Sequence, residues 1–103
     1  MILYLSGPIT GQPDYREKFG KVAEILTQMG HVVLNPAALP EGLAWSQYLR
    51  IGDAMVSAAS GIVLLEGWES SNGARKELAL ALEMDIKIFV APEKVERAEN
   101  DEA

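Results

Sequence analysis

Three side chains in this sequence stand where their types and neighbours could do chemistry. Glu77 comes one helical turn after Gly73 in "SSNGARKE" (70–77), so the two share one face of a predicted helix. Helical side chains lean toward the N-terminus, and the absent side chain at Gly73 leaves a hollow beside the carboxylate. A carboxylate bordering open space, near helix-start amides that favour anions, suits a nucleophile or a ligand anchor. Asp53 follows Gly52 inside the otherwise apolar "IGDAMV" (51–56). Glycine in mid-helix costs about 1 kcal/mol relative to alanine, so it points to close approach of another element or a ligand. Tyr4 stands in a predicted strand, where a tyrosine is commonly a core residue with its hydroxyl at the edge. On pattern alone two plainer readings stay open: Glu77 as an exposed helical glutamate among Arg75, Lys76 and Glu83, and Asp53 as a solvent-facing acid.

A second feature joins these. In "YLSGPITG" (4–11) a strand runs straight into a loop carrying Gly7, Gly11 and the hydroxyls of Ser6 and Thr10. That composition suits a backbone that approaches a ligand closely. Ser70, Ser71 and Asn72 are all good residues for starting a helix.

The elements that must position these groups follow from periodicity. "ILYL" (2–5) is a strand. "PDYREKFGKVAEILTQMG" is a helix with Phe19, Val22, Ala23, Leu26 and Met29 on one face, with Asp14 and Glu17 at capping-box spacing and Gly30 as its stop. "HVVL" (31–34) is a second strand, and residues 36–45 form a loop long enough to be a lid or wall of a pocket. A helix over 46–60 carries Leu49, Met55, Val56 and Ala59 as an apolar stripe. "GIVLLEG" (61–67) is a fully buried strand, "WESSN" a loop, "GARKELALALEM" (73–84) a helix and "IKIFV" (86–90) a fourth strand. This alternation predicts an α/β fold, a small doubly wound, flavodoxin- or Rossmann-like parallel sheet of four strands in the order 2-1-3-4, with helices on both faces. Ligands of such sheets bind beyond the carboxyl ends of the strands at the switch point. Segments 6–11 and 66–73 leave strands one and three there.

Composition narrows the function classes. The 103 residues fit one domain, taken as 1–92, with an acidic tail at 93–103. The formal charge is −6, and that tail, with five acids and two bases, supplies −3 of it as a solvated extension or frayed helix. No basic stripe marks a groove for a nucleic-acid polymer. No apolar run is long enough to span a membrane, and no basic leader precedes "ILYL", so a cytoplasmic protein is expected. Without cysteine, and with His31 alone, thiol chemistry and multi-histidine metal sites are excluded within one subunit. His31, starting a strand away from the inferred site, is assigned no chemistry, and the four methionines are taken as core filler. Trp45, Tyr48 and Trp68 are candidates for stacking on a base or for core or subunit packing.

The chain resembles the nucleoside 2-deoxyribosyltransferase superfamily. It is especially similar to the short members, the 2′-deoxynucleoside 5′-monophosphate N-glycosidases and the domain-of-unknown-function 4406 proteins. The resemblance runs over about residues 2–90. It rests on Tyr-Leu-Ser-Gly-Pro-Ile-Thr-Gly at 4–11, on Asp53 in the helix before the third strand, and on Ser71-x-Gly73-x-x-x-Glu77 followed by Leu-Ala. The 24 positions from Asp53 to Glu77 match the monophosphate hydrolases.

That resemblance implies a set of roles. Glu77 is the nucleophile that attacks C1′ of deoxyribose and forms a covalent glycosyl ester. Asp53 protonates or orients the departing base, and Tyr4 holds the nucleophile by a hydrogen bond. Gly7, Ile9, Thr10 and Gly11 shape the first loop around sugar and base, and Ser71, Asn72 and Gly73 bind at the helix start. Serine at 71, where the free-nucleoside transferases carry aspartate, fits a 5′-phosphate; Thr10 stands where the hydrolases usually carry arginine, and Arg75 is one candidate to compensate. The implied substrate is a small deoxynucleotide or deoxynucleoside, with no cofactor and no metal. The implied assembly is a homodimer or larger homo-oligomer, and the apolar face around Trp45, Tyr48, Leu49 and Met55 is the expected interface.

Overall fold

In β1 (Ile2–Ser6) alternation sends successive side chains to opposite faces. Leu3 and Leu5 enter the core on one side of the sheet, while Tyr4 packs on the other, where Ser6 follows it at the same period. The structure is a computed structural model and describes residues 1–99. After β1 come α1 (Tyr15–Gln28), β2 (Val32–Leu34), α2 (Trp45–Ala58), β3 (Gly61–Leu64), α3 (Asn72–Glu83) and β4 (Lys87–Phe89). All pairings are parallel and the order is β2-β1-β3-β4, the predicted doubly wound sheet. Register aligns Tyr4 with Leu34 on β2, and Ser6 with Leu64 on β3. The carboxyl ends of β1 and β3 therefore finish side by side.

Two apolar clusters hold the layers together. Phe19 and Leu26 of α1 pack on Leu3, Leu5, Val63 and Phe89. On the opposite face Val56 of α2 and Ala81 of α3 pack on Tyr4, Ile62 and Leu64. Helices thus cover both faces, α1 on one and the pair α2 and α3 on the other. Among the described residues no helix is long and apolar enough to cross a membrane.

The structure departs from the sequence reading at several element ends. β1 runs one residue further than predicted, to Ser6, and β3 stops at Leu64 rather than Gly67. Asp14 precedes α1 but caps nothing with its side chain. It pairs instead with Lys18 at 3.5 Å, and Glu17 pairs with Lys21 at 3.3 Å, so the predicted capping box is replaced by two exposed helical ion pairs. Gly30, at φ +94°, does end α1: its N–H bonds the Thr27 carbonyl and the His31 N–H bonds the Leu26 carbonyl. The loop after β2 is tied to the helices on either side of it. It contains a short 3-10 turn at Pro36–Ala38, Arg16 donates to the Leu39 carbonyl at 3.1 Å, and the Tyr48 hydroxyl donates to the Pro40 carbonyl at 2.6 Å.

The segment expected as a solvated tail is docked in its first part. Val95 is buried in the α1-side core, and the Ala98 N–H donates to the Met29 carbonyl at 2.8 Å. His31 ties the same segment down: Nε2 donates to the Glu96 carbonyl at 2.7 Å, and Nδ1 accepts from the Met1 amino group at 3.0 Å. The high charge of 93–103 concealed Val95, whose burial, with the backbone bond of Ala98, decides the path. Residues 100–103 of the expected tail lie outside the described residues.

Candidate functional site

Both ends of the site grow out of the sheet. Because Tyr4 and Ser6 are two residues apart on β1, both hydroxyls point to the face covered by α3. Glu77, in the second turn of α3, meets them. The Tyr4 hydroxyl donates to Oε2 at 2.5 Å and the Ser6 hydroxyl to Oε1 at 2.6 Å. The third wall of this seat is α2 at Gly52. A methyl group there would stand 3.2 Å from Glu77 Oε2 and 3.6 Å from the Tyr4 oxygen. The mid-helix glycine therefore marks a close approach, and the element that approaches is the Glu77 side chain.

The carboxylate is partly buried, and burial is the largest influence on it, pushing its pKa above the ordinary glutamate value. The hydrogen bonds from Ser6 and Tyr4 oppose that push by favouring the ionised form, and the nearby charge of Asp53 adds to it. Burial, then the Glu77 charge, drives the Tyr4 phenol far above its usual range, so it stays protonated and can only donate to Glu77. The effect of Asp53 on both groups places a second carboxylate within electrostatic reach of the first.

These residues open onto a cavity of about 1120 Å³. That is slightly above the roughly 300–1,000 Å³ usual for small-molecule sites, which leaves room for a ligand of nucleotide size and water. Tyr4, Gly7, Ile9, Thr10, Asp53, Ser71, Asn72, Gly73 and Glu77 all line it. The two carboxyl-bearing residues at 53 and 77 thus border one open space, and a Cβ at Gly73 would also project into open space. Gly7 has a packing duty as well, since a Cβ there would come within 2.9 Å of the Leu65 side chain. Ser71 caps α3, accepting from the Ala74 N–H at 3.2 Å, and its hydroxyl proton remains free to donate.

Other expectations are redistributed. Gly11 does not line the cavity; at φ +78° it turns the chain between β1 and α1. Trp45, 59% exposed, and Tyr48 line the cavity, but Trp68 does not: it packs against the cluster of Tyr4, Val56 and Ile62. The expected apolar face of α2 is split in two. Trp45, Tyr48 and Leu49 look into the cavity, whereas Met55 lies with Leu34, Ile51 and Ala54 in a separate shallow groove. The helical period separates them, since 45, 49 and 52 form one stripe and 51, 54, 55 and 58 another. Arg75, the cation considered from sequence, does not line the cavity; Lys76 does. Ser6 is the group that sequence reasoning missed. Its signal was a hydroxyl in alternation with Tyr4 on a buried strand, hidden by ending the strand at Leu5.

Comparison with known proteins agrees with this architecture. No curated protein matches the sequence. Among solved structures, a 2-desoxiribosyltransferase from Leishmania mexicana superposes with a TM-score of 0.69 at 18% identity, over 84% of this chain and 61% of that one. The likeness is one of fold, and this chain spans about three-fifths of the length of that protein. A family model described as Domain of unknown function (DUF4406) matches residues 1–90. With that match covering nearly all the described chain, the protein belongs to the DUF4406 family and carries the fold of the nucleoside 2-deoxyribosyltransferases.

Proposed function

We propose that the protein cleaves the N-glycosidic bond of a 2′-deoxynucleoside 5′-monophosphate through a covalent intermediate on Glu77. The observation that carries this reading is the seat of Glu77: a carboxylate held by two hydroxyl donors, beside a second acid, at the wall of a cavity of nucleotide size. In the first step a Glu77 oxygen bonds C1′ as the C1′–N bond breaks. The bond's electron pair leaves with the base, and Asp53 supplies the proton that makes the base a neutral leaving group. In the second step water attacks C1′, the ester bond breaks to restore the Glu77 carboxylate, and the water's proton returns to Asp53. Tyr4 keeps its proton throughout and orients the nucleophile. Gly7, Ile9 and Thr10 border the sugar and base. Asn72, Gly73 and the Ser71 hydroxyl at the start of α3 take the 5′-phosphate, with Lys76 as the nearby cation. The chemistry needs no cofactor or metal.

A second reading, base exchange between free deoxynucleosides, has one observation in its favour. Of the charged residues lining the cavity, Asp53, Glu77 and Glu83 are acids and Lys76 alone among the described residues is basic. One experiment separates the readings. Each deoxynucleoside monophosphate and each free deoxynucleoside is incubated with the protein, with and without a second base, and free base is followed by chromatography. The proposal expects base release from a monophosphate with water as acceptor, and a mass increment on Glu77 after trapping with a 2-fluoro-arabinosyl nucleotide. Product formed only when a second base is supplied favours exchange. No base release from any of them by folded protein overturns both.

A further inference from the structure

Ser6 takes no part in the steps above, yet it is as buried as Tyr4 and bonded to the same carboxylate. It is 1% exposed, at the end of β1, and its hydroxyl reaches Glu77 Oε1 at 2.6 Å, a length typical of a hydroxyl bonded to a carboxylate. The two oxygens of Glu77 have different surroundings. Oε2 meets Tyr4 and the bare backbone of Gly52, both of which line the cavity; Oε1 meets Ser6, which does not. The carboxylate is thus held at one oxygen by a residue behind the cavity wall and at the other by a residue that lines the cavity. The terminal torsion of a glutamate is otherwise broad, so one donor alone would leave the plane of the carboxylate free to swing.

We propose that Ser6 is a positioning residue for glycosyl transfer: by holding Oε1 from the buried side it fixes the carboxylate plane and presents Oε2 to the sugar carbon. The inference rests on the reading of Glu77 as nucleophile. As Oε2 forms the bond to C1′ and the C1′–N bond breaks, Oε1 becomes the carbonyl oxygen of the ester. Ser6 keeps its proton and its bond to that oxygen. When water displaces the ester, the same hydrogen bond favours the returning carboxylate. Tyr4 and Ser6 therefore divide the work, one at the attacking oxygen and one at the oxygen that becomes the ester carbonyl.

The test compares Ser6→Ala, Ser6→Cys and Ser6→Thr with the natural protein by two readouts. The first is kcat and KM for base release across pH. The second is carbon-13 NMR titration of the Glu77 carboxyl, assigned with Glu77→Gln, which needs no turnover. Loss of the donor in Ser6→Ala lowers kcat about tenfold to a hundredfold with KM nearly unchanged. It also moves both the acid limb of the rate profile and the Glu77 titration to higher pH, because the bond that favours the ionised form is gone. Ser6→Thr keeps the hydroxyl and restores both; Ser6→Cys, a weak donor, falls between. A folded Ser6→Ala with an unchanged rate profile and an unchanged Glu77 titration overturns the proposal, and if Ser6→Ala does not fold, Ser6→Cys matching the natural protein in both does the same. If the natural protein releases no base from any deoxynucleotide or deoxynucleoside, the glycosidic reading fails on that result, while the titration still decides whether Ser6 holds the carboxylate.

Discussion

Glu77 has its carboxylate partly buried against two neutral hydroxyls, with no salt bridge to it among the described residues, and this sets its behaviour with pH. Its pKa is raised in the folded protein, chiefly by burial, so the folded state holds the proton more tightly than the unfolded chain does. The stability contributed by this group is therefore complete below the ordinary carboxylate range, and it is lost as pH rises through the raised value. Glutamine imitates the protonated acid and carries no charge at any pH. Glu77→Gln is thus expected to abolish base release and yet to melt above the natural protein at pH 8. The gain is several degrees, what about 1 kcal/mol produces in a domain of this size, and shrinks toward pH 4. Thermal melts of both proteins across pH check the sign; a gap that widens on acidification refutes it. At this scale Glu77 and Asp53 were candidates through the glycines near them, with plainer readings open, and Tyr4 was joined to Glu77 only by the resemblance. Ser6 was not legible, because its role depends on which way a strand end faces.

At the scale of elements, the contact between α2 and α3 does two jobs. Val56 and Ala81 seal the core beneath it, and Gly52 opens a seat for the carboxylate above. Gly52→Ala separates these jobs. Alanine favours the helix by about 1 kcal/mol, but its methyl would come within 3.2 Å of Glu77 Oε2, tighter than ordinary contact. The expected result is a Tm within a few degrees of the natural protein together with at least a tenfold loss of base release, measured as initial rates. Full activity in this variant would show that the seat is not needed. The strands, their parallel pairing and their order followed from the alternation of short apolar runs with helical periods. Element ends did not. Residues 65–67, expected to continue β3, leave the ladder with Leu65 buried in the α1-side core, and Asp14 found a lysine rather than a backbone N–H, both choices made by neighbours distant in sequence or by competing local partners.

Across the whole molecule, the segment after β4 closes the α1 side of the core. Val95 is 6% exposed, and His31 joins the Met1 amino group to the Glu96 carbonyl. Val95→Ala is expected to cost about 2 kcal/mol, and to lower Tm by roughly 10 °C, with the rate of any reaction at the opposite face unchanged below the melt. A melt indistinguishable from the natural protein would return this segment to the status of a tail. The amino-acid sequence by itself determined the class of fold and the strand order, because hydrophobic period and crossover handedness are local or combinatorial constraints; it marked Asp53 and Glu77 as candidates, with an exposed position for each still open. Only the tertiary structure decided that Ser6 and Tyr4 grip opposite oxygens of Glu77, that Trp68 belongs to the core and Trp45 to the cavity, and that the charged C-terminal segment docks. Each of those depends on which surfaces meet in the folded chain, across as many as 73 residues for Tyr4 and Glu77, and burial at such contacts outweighs what composition alone suggests.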